Sequence, residues 1–245
     1  MNLEGKIVLV TGANGGVGSA LIKELLNRGA AKVYAAARTI GAAKELAQFD
    51  AERIEALRLD ITSAASVAMA AEQCVDVNLL INNAGINRCV SLLGLAGMEA
   101  SREEMEVNFF GTLAMCRAFA PILEANGGGT IVNVCSIIGL VNLPVNGTYC
   151  ASKAAGHSLL QGVRAELAPR GIKVVGVYPG PVDTKMTAGQ EIPKASPVQV
   201  ASEILTGLER NVEDIFPDPM SRGVHEQLEK NAKQVEKQFA AMIPD

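Results

Sequence analysis

The sequence predicts an α/β fold: a doubly wound, Rossmann-type parallel sheet of six to seven strands with helices on both faces. Three observations carry that reading. Short, continuously apolar runs rich in Val, Ile and Leu recur along the chain, as strands buried on both faces require. Stretches with apolar residues at helical spacing alternate with them, the order expected of βαβ units. The first strand-like run also stops at a glycine-rich turn that opens directly into a helix.

The composition narrows the choice further. With 245 residues, 49% hydrophobic and 20% charged, the chain has enough apolar material for one large core, and a single domain over residues 1–245 is expected. A net charge of -4 without any compensating basic run argues against a nucleic-acid partner. Strand-like sequence begins almost at once after Met1, and no apolar run is long enough to span a bilayer, so neither a signal peptide nor a membrane partner is expected and the expected location is cytoplasmic. Cys74, Cys89, Cys116, Cys135 and Cys150 lack metal-ligand spacing and read as reduced, packed thiols; Cys135 and Cys150 each adjoin a candidate catalytic residue. No metal site is expected, and His157 and His225 read as structural or surface residues.

Taken in order, Lys6 to Val10 form the first strand, followed by Thr11-Gly12-Ala13-Asn14-Gly15-Gly16-Val17-Gly18 and a helix bearing Ala20, Leu21, Leu25 and Leu26. Glycine permits the tight turn and a close backbone approach, while the helix start directs N–H groups at an anion such as a pyrophosphate. The spacing is G-x-x-x-G-x-G, on Gly12, Gly16 and Gly18. A second strand, Val33 to Ala37, ends in Arg38; a third, Ile54 to Leu59, ends in Asp60-Ile61. Ser63 to Gln73 reads as helix, and Val77 to Ile81 is a fourth strand leading into Asn82-Asn83-Ala84-Gly85.

A long helix is expected from Ser101, as its cap with Glu104 three residues on, to about Ala125, with Asn108 inside it. Thr130 to Cys135 form a fifth strand that delivers Ser136 at its carboxyl end, where open sheets bind ligands. The next helix, Tyr149 to Ala168, is expected to turn Ala154, Leu159, Val163 and Leu167 inward. It carries Tyr149 and Lys153 four apart, on one face, so a phenol and an ammonium share a site and the cation favours the phenolate. Lys173 to Tyr178 form a sixth strand, ending in Pro179-Gly180-Pro181-Val182-Asp183-Thr184. Residues 185–197 read as a mobile substrate lid, Pro197 to about Arg210 as a helix, Asp214 to Phe216 as a brief strand, and 219–243 as a terminal helix with Val224, Leu228, Ala232, Val235 and Phe239 on one face.

Together these motifs, in this order from Thr11 to Thr184, resemble the classical short-chain dehydrogenase/reductase (SDR) family. The resemblance implies that Ser136, Tyr149 and Lys153 are catalytic and that Asn108 organises a water relay. It places Gly12, Asn14, Gly16, Val17 and Gly18 on the dinucleotide pyrophosphate, Asp60 and Ile61 at the adenine, and Asn83, Ala84 and Gly85 beneath the cofactor. Tyr149, Lys153, Pro179, Gly180, Val182 and Thr184 would meet the nicotinamide half. At the adenosine ribose an acidic residue would favour NAD(H); the chain instead has Ala37 followed by the Arg38 guanidinium, which can pair with a 2′-phosphate, so NADP(H) is favoured over NAD(H) although Gly15 is not basic.

The implied activity is NADP(H)-dependent oxidoreduction between a ketone or aldehyde and its alcohol, that is, a short-chain alcohol dehydrogenase or carbonyl reductase, with homotetramers or homodimers as in relatives. Ile137, Ile138, Leu140, Val141, Leu143, Pro144 and Val145 are expected to line the pocket, suggesting a hydrophobic small molecule. The alternatives are an NADP-sensing or scaffold protein and an isomerase or dehydratase on the same fold. Within the reductases, a 3-oxoacyl carrier-protein reductase would usually end in a glycine-rich strand, which Glu213 to Pro219 is not.

Overall fold

A computed structural model describes residues 1–242. Seven strands, β1 (Ile7–Thr11), β2 (Lys32–Ala37), β3 (Ile54–Arg58), β4 (Leu79–Asn82), β5 (Gly129–Val134), β6 (Ile172–Val177) and β7 (Asp214–Ile215), form one sheet in the order β3-β2-β1-β4-β5-β6-β7. Every pairing is parallel. The chain winds outward from β1 towards β3 and then from β4 towards β7, so the switch point opens between β1 and β4 at the carboxyl edge.

The alternation of side chains along each strand sorts the core into two layers. Val8, Val10, Val33 and Ala35 face α1 (Gly16–Asn27) and α7 (Pro197–Glu209), meeting Leu21, Leu25, Ile204 and Leu208. Leu9, Tyr34, Ala36 and Leu80 face the opposite layer, built from α3 (Ala64–Gln73), α5 (Thr112–Ala125) and α6 (Gly147–Leu167), with Val67, Met115, Phe119 and Leu160. A third, smaller cluster joins Ile137 and Val141 to Val224, Val235 and Phe239 of α8 (Pro219–Ala240).

Several boundaries differ from the sequence reading. A short helix α2 (Ile40–Ala47), unassigned there, packs only Ala43 and Leu46 inward. The expected helix from Ser101 to Ala125 is three pieces: α4 (Gly97–Met105), a π-helical turn (Glu106–Gly111) and α5. Ser101 is not a cap; it lies inside α4. On α6 the inward face is Ser152, Lys153, Gly156, Leu160 and Leu167, and Ala154 is exposed, because this helix buries polar groups that periodicity assigns to solvent. The terminal helix ends at Ala240, and residue 243 lies outside the described residues. It breaks at Asn231 (φ -159°, ψ 84°), whose Oδ1 accepts the Gln234 N–H at 3.1 Å and so caps the second segment. Among the described residues no helix is long and apolar enough to cross a membrane.

Candidate active site

The glycine turn between β1 and α1 is shaped by close backbone contact. Gly12 adopts φ +62°, and a Cβ there would sit 2.8 Å from Ala84 Cα; one on Gly18 would sit 2.4 Å from the Gly12 carbonyl. Gly15 caps α1 without a side-chain bond, so the first N–H groups of that helix remain available to an anion, and Asn14, Gly15 and Gly16 are exposed. A Cβ on Gly16 would meet Thr184 Cγ2 at 2.7 Å and Pro197 Cγ at 3.6 Å, which places Thr184 and the start of α7 against the same turn. These features fit a dinucleotide pyrophosphate.

The turn is locked to β4 by Thr11, a residue sequence reasoning did not single out. Its hydroxyl accepts the N–H groups of both Asn83 and Ala84 at 3.0 Å, while Asn83 Nδ2 donates to the Thr11 and Gly12 carbonyls at 3.0 and 3.1 Å. At the outer end Arg38 is exposed and lines, with Asp60, Ser63 and Ser66, a groove of about 500 Å³. The Asp60 carboxyl is held below its ordinary range first by the Thr62 hydroxyl and N–H, then by the nearby Arg38 and Arg58 charges. Ile61 is buried behind it.

Ser136, Tyr149 and Lys153 come together at the carboxyl end of β5, all buried. The Ser136 hydroxyl lies 3.4 Å from the Pro179 carbonyl. Lys153 Nζ donates to the Val134 carbonyl at 2.9 Å and sits 5.6 Å from the centre of the Tyr149 ring. Gly85 completes the group: a Cβ there would lie 3.1 Å from Asn108 Oδ1 and 3.5 Å from Lys153 Nζ. The expected depression of the Tyr149 pKa by Lys153 does not dominate. Burial pushes the phenol above its ordinary value, with the Ser136 hydroxyl pulling the other way, and burial likewise lowers the Lys153 ammonium.

Asn108 lies in the π-helical turn, buried, with its side chain committed. Oδ1 accepts the Ile86 N–H at 2.9 Å, and Nδ2 donates to the Ile86 carbonyl and Ser152 Oγ, both at 2.9 Å. The side chain therefore clamps the loop after β4 to the π-helical turn and to Ser152 of α6. On the other flank, Asp218, also unmarked by sequence reasoning, accepts the Gly180 N–H at 2.8 Å and the Ser221 N–H at 2.8 Å, joining the Pro179-Gly180 turn to the start of α8.

Two further expectations change. Of the seven residues expected to line the pocket, Ile137 and Val141 are buried against α8, and Ile138, Leu140 and Leu143 pack on the same cluster; only Pro144 and Val145 stand apart from it. The apolar run holds α8, because a helix with one apolar face needs a partner. The thiols are also not uniformly packed: Cys74, Cys116, Cys135 and Cys150 are buried, whereas Cys89 is exposed. Burial pushes Cys135 and Cys150 up to about 11, so both are poor nucleophiles despite their position. The segment 185–197 is tied down rather than featureless, by the Thr184–Thr187 capping box, a bridge between Val182 and Ala195, and a 2.8 Å bond from Lys194 Nζ to the Thr187 carbonyl.

The short chain dehydrogenase family model matches residues 6–194. A solved short chain dehydrogenase from Burkholderia cenocepacia, in complex with NADP, is 39% identical, with each chain covered in full and a TM-score of 0.93. A 3-ketoacyl-(acyl-carrier-protein) reductase from Brucella melitensis complexed with NADH is 27% identical over 87% of this chain and 97% of that one, with a TM-score of 0.77. An uncharacterized oxidoreductase of Staphylococcus saprophyticus is 29% identical over 90% of this chain and 100% of its own length.

Proposed function

The chain belongs to the short-chain dehydrogenase/reductase family of oxidoreductases, and from that premise we propose that it interconverts a small ketone or aldehyde and the corresponding alcohol with NADP(H). The observation that carries the reading is the burial of Ser136, Tyr149 and Lys153 together beside Gly85 and the glycine turn. When bound, the nicotinamide supplies or accepts the hydride, which no side chain can do. Ser136 and Tyr149 hydrogen-bond the carbonyl oxygen, and Tyr149, kept protonated by burial, delivers its proton as charge develops there. Lys153, fixed by the Val134 carbonyl, keeps further N–H groups for the nicotinamide ribose and the phenol.

Arg38 reads the 2′-phosphate in this proposal. Its exposed position at the end of β2 and the NADP bound to the Burkholderia relative support that choice. We further read residues 1–245 as one domain with 185–197 as its lid, working as a homodimer or homotetramer; the exposed Leu93, Leu95, Met98 and Phe110 beside α4 and the π-helical turn support a subunit contact there. A hydrophobic substrate is supported by the partly buried Ile138, Leu140, Leu143, Pro144 and Val145 downstream of Ser136, while Ile137 and Val141 are buried against α8. The similarity to the Brucella enzyme supports carrier-bound 3-oxoacyl groups as a second substrate class.

Titrating the protein with NADPH and NADH, then following nicotinamide absorbance with ketones, aldehydes and a 3-oxoacyl thioester, tests the proposal. We expect tighter NADPH binding, reduced about tenfold or more in R38A through loss of a charge-assisted pair, with NADH binding unchanged. Tight binding without turnover on any class would return weight to a sensing protein. An isomerase would convert substrate with no net change in nicotinamide.

A further inference from the structure

The loop from Gly85 to Val90 leaves the carboxyl end of β4 and passes beside Lys153 without regular structure. Its backbone is held at alternate residues. Ile86 exchanges two 2.9 Å bonds with the Asn108 side chain, the Arg88 N–H donates to Glu104 Oε1 at 2.6 Å, and the Val90 carbonyl accepts the Thr148 hydroxyl at 3.1 Å and the Thr148 N–H at 3.3 Å. The three anchors come from the π-helical turn, from α4, and from the residue that precedes Tyr149. The middle one is a carboxylate.

Glu104 is fully buried, and its Oε2 has no hydrogen-bond partner. A carboxylate in that state lowers stability relative to an apolar side chain of similar size, so packing does not account for it. The Arg88 side chain does not compensate, since its guanidinium pairs with Glu103 at the surface. What Glu104 uniquely provides is an acceptor, deep in α4, for one amide of the loop.

We propose that Glu104 is a positioning residue that fixes the active-site wall formed by Ile86 to Val90, through the Arg88 amide. The use of that wall in carbonyl reduction rests on the function proposed above; its fixation does not. The anchor also sets where the wall meets the lid. Cys89 is held at φ +54°, with its N–H bonded to Asn87 Oδ1 at 2.8 Å and its sulfur 4.0 Å from Gln190 Nε2. Loosening Arg88 therefore frees Cys89 from Gln190.

Cys89 gives a readout that needs no substrate, being the exposed cysteine among five. Labelling by an aromatic disulfide such as Ellman's reagent should be about tenfold faster or more in E104A than in the wild type, the scale of losing a hydrogen bond to a charged group. E104Q keeps an acceptor for the Arg88 N–H and should label at the wild-type rate, and C89S should abolish the phase in each background. E104M, which fills the space without an acceptor, should melt at or above the wild-type temperature while labelling as fast as E104A. NADPH affinity should stay within about twofold in all of them. Should E104A and E104M fail to fold, hydrogen exchange on the wild type decides: a protected Arg88 amide supports the anchor, and rapid exchange there overturns it. Unchanged labelling in E104M, or labelling in E104Q as fast as in E104A, also overturns it. Because none of these measurements requires turnover, their failure is distinguishable from failure of the reductase reading. With a ketone that turns over, E104M should raise KM more than it lowers kcat, and E104Q should restore it.

Discussion

At the β1–α1 turn, one added methyl group on Gly12 or Gly18 would collide with backbone, and the groups left to face a ligand are N–H donors of the main chain. In the first turns of α6 the opposite holds: Tyr149, Ser152 and Lys153 bury polar side chains, and burial shifts the phenol and the ammonium away from their ordinary pKa values. One half of the crevice works by withholding side chains, the other by burying them. A substitution in the first half should therefore act through shape and binding, and one in the second through proton chemistry. That division can be tested from both sides.

The largest effect is expected at Tyr149. Tyr149→Phe removes the proton donor while keeping the ring, so kcat should fall by about 10²–10⁴-fold, the usual worth of a placed general acid. NADPH affinity should change little, because the cradle is elsewhere; a large loss of binding would show that the two halves are not separable. Gly18→Ala should do the reverse. Its methyl group would stand 2.4 Å from the Gly12 carbonyl, so the turn must shift, at about 1–3 kcal/mol of strain. We expect NADPH binding weakened about tenfold or more and a lower melting temperature, measured by nicotinamide fluorescence and calorimetry, with saturating kcat largely kept. A fall in kcat as deep as that of Tyr149→Phe would break the comparison.

The two halves also differed in how far the sequence disclosed them. Glycines at fixed spacing after a strand announce a turn because the constraint is local, and the Tyr149–Lys153 spacing reads as one face of a helix for the same reason. The seven-stranded parallel sheet followed from apolar runs alternating with helical spacing. What stayed hidden depends on distant partners. Glu104 reads as a helix-start residue until the fold brings Arg88 to it, and Asp218 sits 38 residues from Gly180, whose N–H it accepts. The start of α4 is set by packing, since Gly97 fits against the Leu92 carbonyl where a Cβ would approach to 2.4 Å, and Ser101 is thereby overrun. In the apolar run after Ser136, hydrophobicity does not distinguish a pocket wall from the seat of a helix: Ile137 and Val141 are buried against α8, whereas Ile138, Leu140, Leu143, Pro144 and Val145 are only partly buried.

The mildest test concerns which influence governs the phenol. The chain has three tyrosines, and burial is the leading cause of an upward shift in each: Tyr34 is pushed up to about 12, and Tyr149 and Tyr178 are raised as well. In the unfolded chain all three ionise near 10. Since the folded values are raised, the stability they contribute is fully present below about pH 10 and is lost as pH rises from there through the folded values. Tyrosinate absorbance of the folded, cofactor-free protein should accordingly stay flat to about pH 10, while the denatured protein titrates there, and denaturant midpoints should fall on further alkalinisation. A single tyrosine ionising below about 10, absent from Tyr149→Phe, would show that the Lys153 charge outweighs burial, as the spacing alone had suggested. In that case the second half of the crevice would be tuned by a side-chain charge before any cofactor arrives; on the burial-dominated reading, the phenol waits protonated, ready for the reductive direction.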